Sequence, residues 1–130
     1  MKKASLLAFM TFVLATVTPS VAHHSSTMFD TAKTITVEGV VTKWELTNPH
    51  SWLHVEVKGK DGKTVTWGFE AEGPSSLQRA GIKPSDFKVG TKLTISGNPM
   101  RDGTPAAIWL DATRTSDGKK FNPRAGFAVK

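Results

Sequence analysis

Four histidines, His23, His24, His50 and His54, are the residues of this chain best suited to bind a metal ion. The sequence contains no cysteine, so no thiolate can act as a ligand or a nucleophile. His50 and His54 lie four residues apart on a predicted strand, which places them about 13 Å apart. A metal lies about 2 Å from a histidine nitrogen, so this spacing argues against one ion held by these two alone. Either histidine can still join ligands from elsewhere.

The segment before His23 has the three parts of a secretory signal peptide. Lys2 and Lys3 form a basic head, and residues 6–14 form an apolar run. The small residues Ser20 and Ala22 then form a cleavage site. The run is shorter than the roughly 20 residues that span a bilayer. We therefore predict cleavage after Ala22, a periplasmic or secreted protein, and no membrane span after cleavage. An uncleaved N-terminal anchor is the alternative.

Cleavage after Ala22 would make His23 the free N-terminus, whose amine and ring nitrogen can chelate one metal together. Nitrogen donors suit copper(II), which stands at the top of the divalent affinity order. One more imidazole, from His24, His50 or His54, would complete a three-nitrogen site. The α-amine has an ordinary pKa of about 8, so copper binding there should release protons. Thioether ligands for copper(I) are available in Met28 and Met100, although methionine more often fills gaps in a core.

Size and charge restrict the class of protein. Removing 22 of the 130 residues would leave 108, which is one small domain. Losing Lys2 and Lys3 would lower the formal net charge from +6 to +4. The remaining lysines are scattered, which is typical of a solvated surface. We therefore expect a monomer with no nucleic-acid partner.

The residue types do not favour an enzyme. Ser25 and Ser51 lie near histidines in the sequence, but neither stands in a nucleophile elbow. The carboxylates of Glu70 and Glu72, at the end of a predicted strand, share one face and are expected to form a solvated rim. We predict no catalytic residues.

A long first strand is predicted over residues 34–46, where β-branched residues alternate. The apolar phase slips by one after Gly39, from Val37 to Val40, which predicts a bulge or sharp bend at Gly39. A hairpin turn is indicated by Asp61-Gly62. Further strands are predicted at 51–57, 63–70, 91–97 and 106–115.

One short helix is predicted between strands three and four, with Pro74 at its first position and Gly81 at its end. Three strands, a short helix and two strands follow the order of an OB-fold barrel. We predict a mainly β, five-stranded OB-fold-like barrel over 34–121. It follows a mature N-terminal segment, 23–33, and precedes a flexible tail, 122–130. An open β-sandwich is the alternative.

The second strand has a core face and an outer face. Leu53, Val55 and Val57 alternate with polar and aromatic residues, so the former face the core. The outer face then carries His50, Trp52, His54 and Glu56. In an OB-fold this face and its loops form the usual binding surface. It is therefore a candidate surface for a ligand or partner, with Asn48, Trp52 and Glu56 as its residues, unless the N-terminal segment or a loop covers Trp52.

Several spaced motifs resemble those of a family of small exported bacterial proteins of unknown function. They are the mature start "HHS", the turn "TNPH", the helix "GPSSLQRAGI" and the loop "MRDG". The resemblance implies a periplasmic setting and a small barrel, and it implies no activity. His23, His24, Asn48 and His50 fall in its motif positions. Periplasmic OB-fold copper and silver chaperones are similar in architecture only, since this chain lacks their paired methionines.

Two hypotheses of function follow. In the first, the protein binds copper(II) through His23 and a second histidine, for copper handling or delivery. In the second, it is a metal-free adaptor that docks a periplasmic protein or an oligosaccharide on Trp52 and its neighbours.

Overall fold

The computed structural model describes residues 26–125. The strands are β1 (Ile35–Glu45), β2 (His50–Lys58), β3 (Thr64–Glu72), β4 (Lys92–Pro99), β5 (Ala106–Arg114) and β6 (Lys120–Phe121). Helix α1 spans Pro74–Arg79, and two 3₁₀ turns span Ser26–Met28 and Pro84–Phe87. None of the helices within 26–125 is long and apolar enough to cross a membrane.

The strands form a closed five-stranded barrel with OB-fold topology, as predicted. Their order is β3-β2-β1-β4-β5, and a parallel pairing of β3 with β5 closes the barrel. The remaining barrel pairings are antiparallel, and β6 extends the sheet beside β5. The open sandwich is therefore excluded, and the short helix lies between strands three and four as predicted.

Strand β1 serves both halves of the barrel because it pairs with β4 along its first half and with β2 along its second. The bulge in β1 that was predicted at Gly39 lies a few residues further along the strand. Val41 is fully buried, and the register shifts between Val41 and Lys43. Gly39 instead permits a close approach, since a Cβ there would lie 2.5 Å from the carbonyl oxygen of Glu56.

The centre of the barrel is filled by interlocking aromatic rings. Trp109 packs edge-on against Phe87 at 5.3 Å and Trp44 at 6.1 Å between ring centroids. Phe121 from β6 packs against Phe87 at 4.7 Å. Aromatic pairs of this geometry stabilise a core by about 0.5–1.5 kcal/mol beyond the burial of their area. Leu53 and Val55 of β2 face this core as predicted.

The region after β3 closes one end of the barrel. Helix α1 begins at Pro74 and ends before Gly81, whose φ of +78° favours glycine. Leu77 and Ile82 are buried against the core. The second 3₁₀ turn brings in Asp86, which accepts hydrogen bonds from the Lys83 amide at 2.8 Å and from the Lys119 ammonium at 2.9 Å.

Both ends of the described chain pack against the barrel. Phe29 is 2% exposed and forms an isolated bridge with Met100. At the other end Pro123, in the segment predicted as a tail, is fully buried. Residues 126–130 lie outside the described residues, as do His23, His24 and the predicted signal segment.

Candidate functional site

Trp52 lies at the centre of the outer face of β2, between two carboxylates. Its Cα partners across the sheet are Glu45 on β1 and Glu70 on β3. The indole lies over Gly68, where an added Cβ would stand 3.3 Å from the ring. Trp52 lies on the outer face of β2, as predicted, and it is partly buried there.

Each carboxylate beside Trp52 bonds one of the two histidines. His50 Nδ1 lies 2.7 Å from Glu70 Oε1, and His54 Nε2 lies 2.6 Å from Glu45 Oε2. The two pairs therefore lie on opposite sides of Trp52, and in each pair the histidine bonds a glutamate that is diagonal to it across the sheet. The prediction that Glu70 belongs to a solvated rim is wrong, because Glu70 is 7% exposed and its carboxylate bonds His50.

The two pairs differ in the ring nitrogen that the carboxylate occupies. A carboxylate at Nδ1 of His50 favours the tautomer with the proton on Nδ1, which leaves the Nε2 lone pair available to a metal. Nε2 is the ring nitrogen farther from the backbone. In His54 the carboxylate occupies Nε2, and the nitrogen that is left lies next to the main chain. His50 is therefore the better metal ligand of the two.

The carboxylate of the His54 pair is also more exposed than that of the His50 pair, at 34% against 9%. Glu45 is bonded by Lys43, and their side chains are 34% and 63% exposed. The hydrogen bond from Lys43, and secondarily that from His54, lowers the pKa of Glu45 below its ordinary value. This carboxylate therefore already has a cationic partner, and the pair resembles an ordinary surface ion pair.

A small cleft of about 210 Å³ adjoins the His50 pair. Its lining comes from both chain ends and from β2, β3 and β5: Phe29, His50, Glu70, Ala71, Glu72, Ile108, Trp109, Pro123 and Arg124. Pockets for small organic ligands typically measure roughly 300–1,000 Å³, so this cleft suits an ion and a few ligand groups better. Glu72 is the Cα partner of His50, which places both side chains on one face of the sheet.

The loop between β4 and β5 fixes the N-terminal segment at this cleft. The Arg101 amide donates to the carbonyl of Met28 at 2.9 Å, and its Nε donates to that of Thr27 at 3.0 Å. The Asp30 amide donates to the carbonyl of Pro99 at 2.8 Å. The "MRDG" motif therefore has a structural role, because it determines where the chain preceding Phe29 leaves the barrel.

The "TNPH" turn positions the start of β2. The Asn48–Pro49 peptide is cis, and the Thr47 hydroxyl donates to the carbonyl of His50 at 2.6 Å. An added Cβ at Gly73 would stand 2.6 Å from Asn48 Oδ1, so the turn packs directly on the end of β3. Asn48 is itself exposed and contributes packing of the turn, outside the lining of the cleft.

Of the predicted metal-binding and surface residues that the structure describes, it brings only one into the cleft. His50 lies in the cleft, while Trp52 and His54 lie beside it on the outer face of β2. Glu56 is exposed and farther along that strand. His23 and His24 lie outside the described residues. Within 26–125, no group of three or more His, Cys, Asp or Glu residues could hold a metal.

The pairing of Glu70 with His50 was not predicted from the sequence. The hairpin centred near Asp61 carried the signal, because register about that turn pairs Trp52 with Glu70 and His50 with Glu72. The alternation of apolar residues alone could not show that the chain ends fold over Glu70.

The fold and cleft define a small OB-fold-like barrel with a carboxylate-oriented histidine beside its N-terminal segment. The chain belongs to a family of unknown function, DUF6152, whose model matches residues 11–109. This agrees with the resemblance drawn from the sequence motifs. No curated protein and no solved structure matches the chain.

Proposed function

We propose that this protein is a periplasmic or secreted copper-binding protein that holds copper(II) through His23 and His50. Residues 1–22 serve as the signal peptide, and its removal frees the α-amine of His23. One observation carries the proposal: Phe29 and His50 line the same cleft. Of the two histidines that the structure describes, the segment that leads to the predicted mature N-terminus therefore lies near the one whose Nε2 is left available, because a buried carboxylate holds its Nδ1.

Covalent reach allows His23 to meet His50. Residues 24 and 25 alone separate His23, the predicted N-terminus, from the 3₁₀ turn at Ser26–Met28, which precedes Phe29 directly. Six extended residues span at most about 22 Å, and the turn shortens that reach. This reach is compatible with the proposed contact between His23 and Nε2 of His50, since Phe29 and His50 line one cleft.

The resulting donor set suits copper(II). The amine and ring of His23 would supply two nitrogens, and Nε2 of His50 a third. The Glu72 carboxylate, opposite His50 on β3, can supply an oxygen. Copper(II) favours such tetragonal nitrogen and oxygen sites. Glu70 acts as a positioning residue, because it orients the His50 ring without needing to touch the ion.

A copper(II) competition titration tests the proposal on protein exported and cleaved by the cell, with its N-terminus confirmed by mass. His50→Ala should weaken binding by at least about 100-fold, more than the loss of an outer-shell partner. His54→Ala is the matched control, since it removes the same side chain from the same strand outside the cleft. Its affinity should stay within about threefold of the unmodified protein.

A second comparison tests the N-terminus. One alanine added before His23 moves the amine away from the histidine ring, and it should also weaken copper(II) binding by at least about 100-fold. Equal and weak binding by the native and extended proteins would contradict the proposal. If His50→Ala and His54→Ala lose copper(II) affinity to the same extent, His50 is not the specific second ligand.

The alternative function is a metal-free adaptor that docks a periplasmic protein or an oligosaccharide on Trp52. It is favoured by the indole on the outer face of β2 between two hydrogen-bonding His–Glu pairs. Under this alternative, binding to the partner requires Trp52 and is insensitive to residues that precede His24. If Trp52→Ala abolishes binding to the partner and leaves copper affinity intact, the two functions belong to different residues.

A further inference from the structure

We propose that the first half of strand β3 is a docking site for a short, extended and acidic peptide segment of a partner protein. The site, the β3 edge, is the side of residues 64–67 that faces away from β2. Glu70 and the cleft lie at the other end of β3, so this inference does not rest on copper binding.

The β3 edge has no neighbouring strand among the described residues. Strand β2 pairs with β3 over residues 64–72, whereas β5 pairs with β3 only over residues 68–70. In the sheet formed by residues 26–125, no further strand lies beside β3. Thr64, Val65 and Thr66 are exposed to solvent. The barrel is therefore closed along the second half of β3 and open along the first.

The direction of the backbone groups at the β3 edge follows from one hydrogen bond at its end. The Gly68 amide donates to the carbonyl of Pro105 at 3.0 Å, on the side away from β2. Backbone groups of successive strand residues point to alternate sides of the strand. The amides and carbonyls of Thr64 and Thr66 therefore point to the open side, while those of Val65 point to β2.

These backbone groups are matched by the main chain of another extended segment. Thr64 and Thr66 each offer one N–H donor and one C=O acceptor to the open side, at the spacing of a strand. Open sheet edges bind peptides by strand addition, in which main-chain hydrogen bonds give affinity and alternate side chains give specificity. The docked segment would take, beside residues 64–67, the position that β5 takes beside residues 68–70.

The inner face of the β3 edge favours apolar side chains in the docked segment. Val65 is 43% exposed, and the ring of Trp67 stacks on Phe69 at 6.2 Å between centroids. Phe69 itself is fully buried, and it lies where Ala107 of β5 pairs with β3. A strand beside residues 64–67 would cover Val65 and Trp67 as β5 covers Phe69.

The turn between β2 and β3 favours acidic side chains at one end of the docked segment. Its exposed lysines outnumber its one acid: Lys58, Lys60 and Lys63 against Asp61. None of these lysines forms an ion pair with another residue of the part of the chain that the structure describes. Farther along the edge, exposed Glu56 is the Cα partner of Thr66 and repels acids there. Negative charge is therefore complementary only at the end of the segment that lies beside the turn.

A second copy of this chain is a poorer occupant than a peptide. Pairing of two β3 edges would bring two lysine-rich turns close together, and like charges across an interface disfavour association. Four strand residues span only about 13 Å. Each partner of a stable dimer typically contributes about 800 Å² and 20–30 residues, so the β3 edge alone is too short for one.

Two capped heptapeptides serve as probes for the exported and cleaved protein. In both, valine and threonine alternate, and two glutamates stand at the N-terminal end of one and at the C-terminal end of the other, which covers both strand directions. Titration by fluorescence anisotropy at up to about 1 mM peptide should show saturable binding of one of them. Replacing its glutamates by lysines should weaken binding by at least about tenfold. Absence of binding by both peptides would overturn the inference.

Amide hydrogen exchange measured by NMR locates the peptide. In the protein alone, the amides of Thr64 and Thr66 should exchange rapidly and that of Val65 slowly, because only the last is bonded to β2. The bound peptide should slow the exchange of Thr64 and Thr66. Binding that leaves these two amides unprotected would overturn the inference, since the peptide would then lie elsewhere.

Thr66→Pro and Thr66→Val form a matched pair of variants. Proline removes an amide that points to the open side and takes no part in the β2 ladder, so peptide affinity should fall by at least about tenfold. Valine keeps that amide, and affinity should stay within about threefold of the unmodified protein. Urea titration checks that both variants fold. Equal peptide affinities of the two folded variants would overturn the inference.

A charge reversal at the turn keeps the test decisive if the proline variant does not fold. Lys60→Glu with Lys63→Glu changes two exposed side chains, and it should weaken binding of the glutamate peptide by at least about tenfold. Unchanged affinity would overturn the acidic character of the segment. Sedimentation of the protein alone tests the other occupant, because a dimer that Thr66→Pro abolishes would assign the β3 edge to a second copy and overturn the inference.

Discussion

Removing the Glu70 carboxylate should weaken copper(II) binding even though Glu70 need not touch the ion. Glu70 Oε1 holds His50 Nδ1 at 2.7 Å, and the Glu70 side chain is 9% exposed against 31% for His50. Outer-shell partners of this kind typically contribute 10–100-fold, or about 1.4–2.8 kcal/mol, to metal affinity. We therefore expect losses within this range, graded by how much of the hydrogen bond each substitution removes.

Two substitutions give the gradation. Glu70→Gln keeps an acceptor oxygen for the Nδ1 proton but removes the charge, so its loss should be about tenfold. Glu70→Ala removes the acceptor and frees the ring to rotate, so its loss should approach about 100-fold. Competition titration measures both, and circular dichroism checks that the barrel is retained. The cost in unfolding free energy should be about 1 kcal/mol, because water can reach the partly exposed His50.

Glu45→Gln and Glu45→Ala are the matched controls, since Glu45 holds His54 in the corresponding pair on the other side of Trp52. Both controls should keep full copper affinity. The reasoning fails if Glu70→Ala binds copper(II) as tightly as the unmodified protein. It also fails if the Glu45 variants lose as much, because orientation by Glu70 would then not be the cause.

Two further predictions concern the barrel itself. Asp86→Asn should lower the unfolding free energy by about 2 kcal/mol at neutral pH in urea titrations, because it weakens charge-assisted bonds to Lys119 and Arg114. Burial raises the pKa of Asp86, but the Lys83 amide, Lys119 and Arg114 outweigh it, so the folded-state pKa lies below the ordinary 3.8. The contribution is complete above that value and is lost as the pH falls below it, so an undiminished difference at low pH would contradict the assignment. Gly39→Ala should lower the unfolding free energy, measured in the same urea titrations, by about 1–3 kcal/mol, because the added Cβ would press on β2. Thr36→Ala, on the exposed side of β1, is the control and should change the unfolding free energy by less than about 0.5 kcal/mol.

The order of the strands could be predicted from the sequence because each strand carries its own signals. Alternation defined the core residues Leu53 and Val55, and Pro74 and Gly81 bounded the helix. The position of the bulge in β1 could not be found in the same way. A glycine at an irregular point predicts a bulge or a close approach equally well, and Glu56 on the neighbouring strand decided for the close approach at Gly39.

The cleft could not be predicted from the sequence, because it is formed by parts of the chain that are distant in sequence. Alternation placed His50 and Glu70 on the outer faces of their strands, where solvent is the usual neighbour. In the structure, Phe29 and Pro123 from near the two ends of the described chain line the same cleft as Glu70, which is buried. No local sequence pattern predicts which distant segments meet at such a cleft. The Asp61-Gly62 hairpin could have shown the pairing, but not the burial.

The segment around Trp52 illustrates how tertiary contacts separate two similar sequence environments. His50 and His54 stand two residues to either side of Trp52, and each finds a glutamate across the sheet. On one side the carboxylate is buried and holds Nδ1, and Nε2 is left beside a cleft that both chain ends help to line. On the other side Lys43 neutralises the carboxylate in solvent, and the histidine presents its farther nitrogen to that carboxylate. The same pair of residue types thus has a buried carboxylate beside a cleft on one side and makes an ordinary surface contact on the other, which is why we expect the His50 and His54 variants to behave differently.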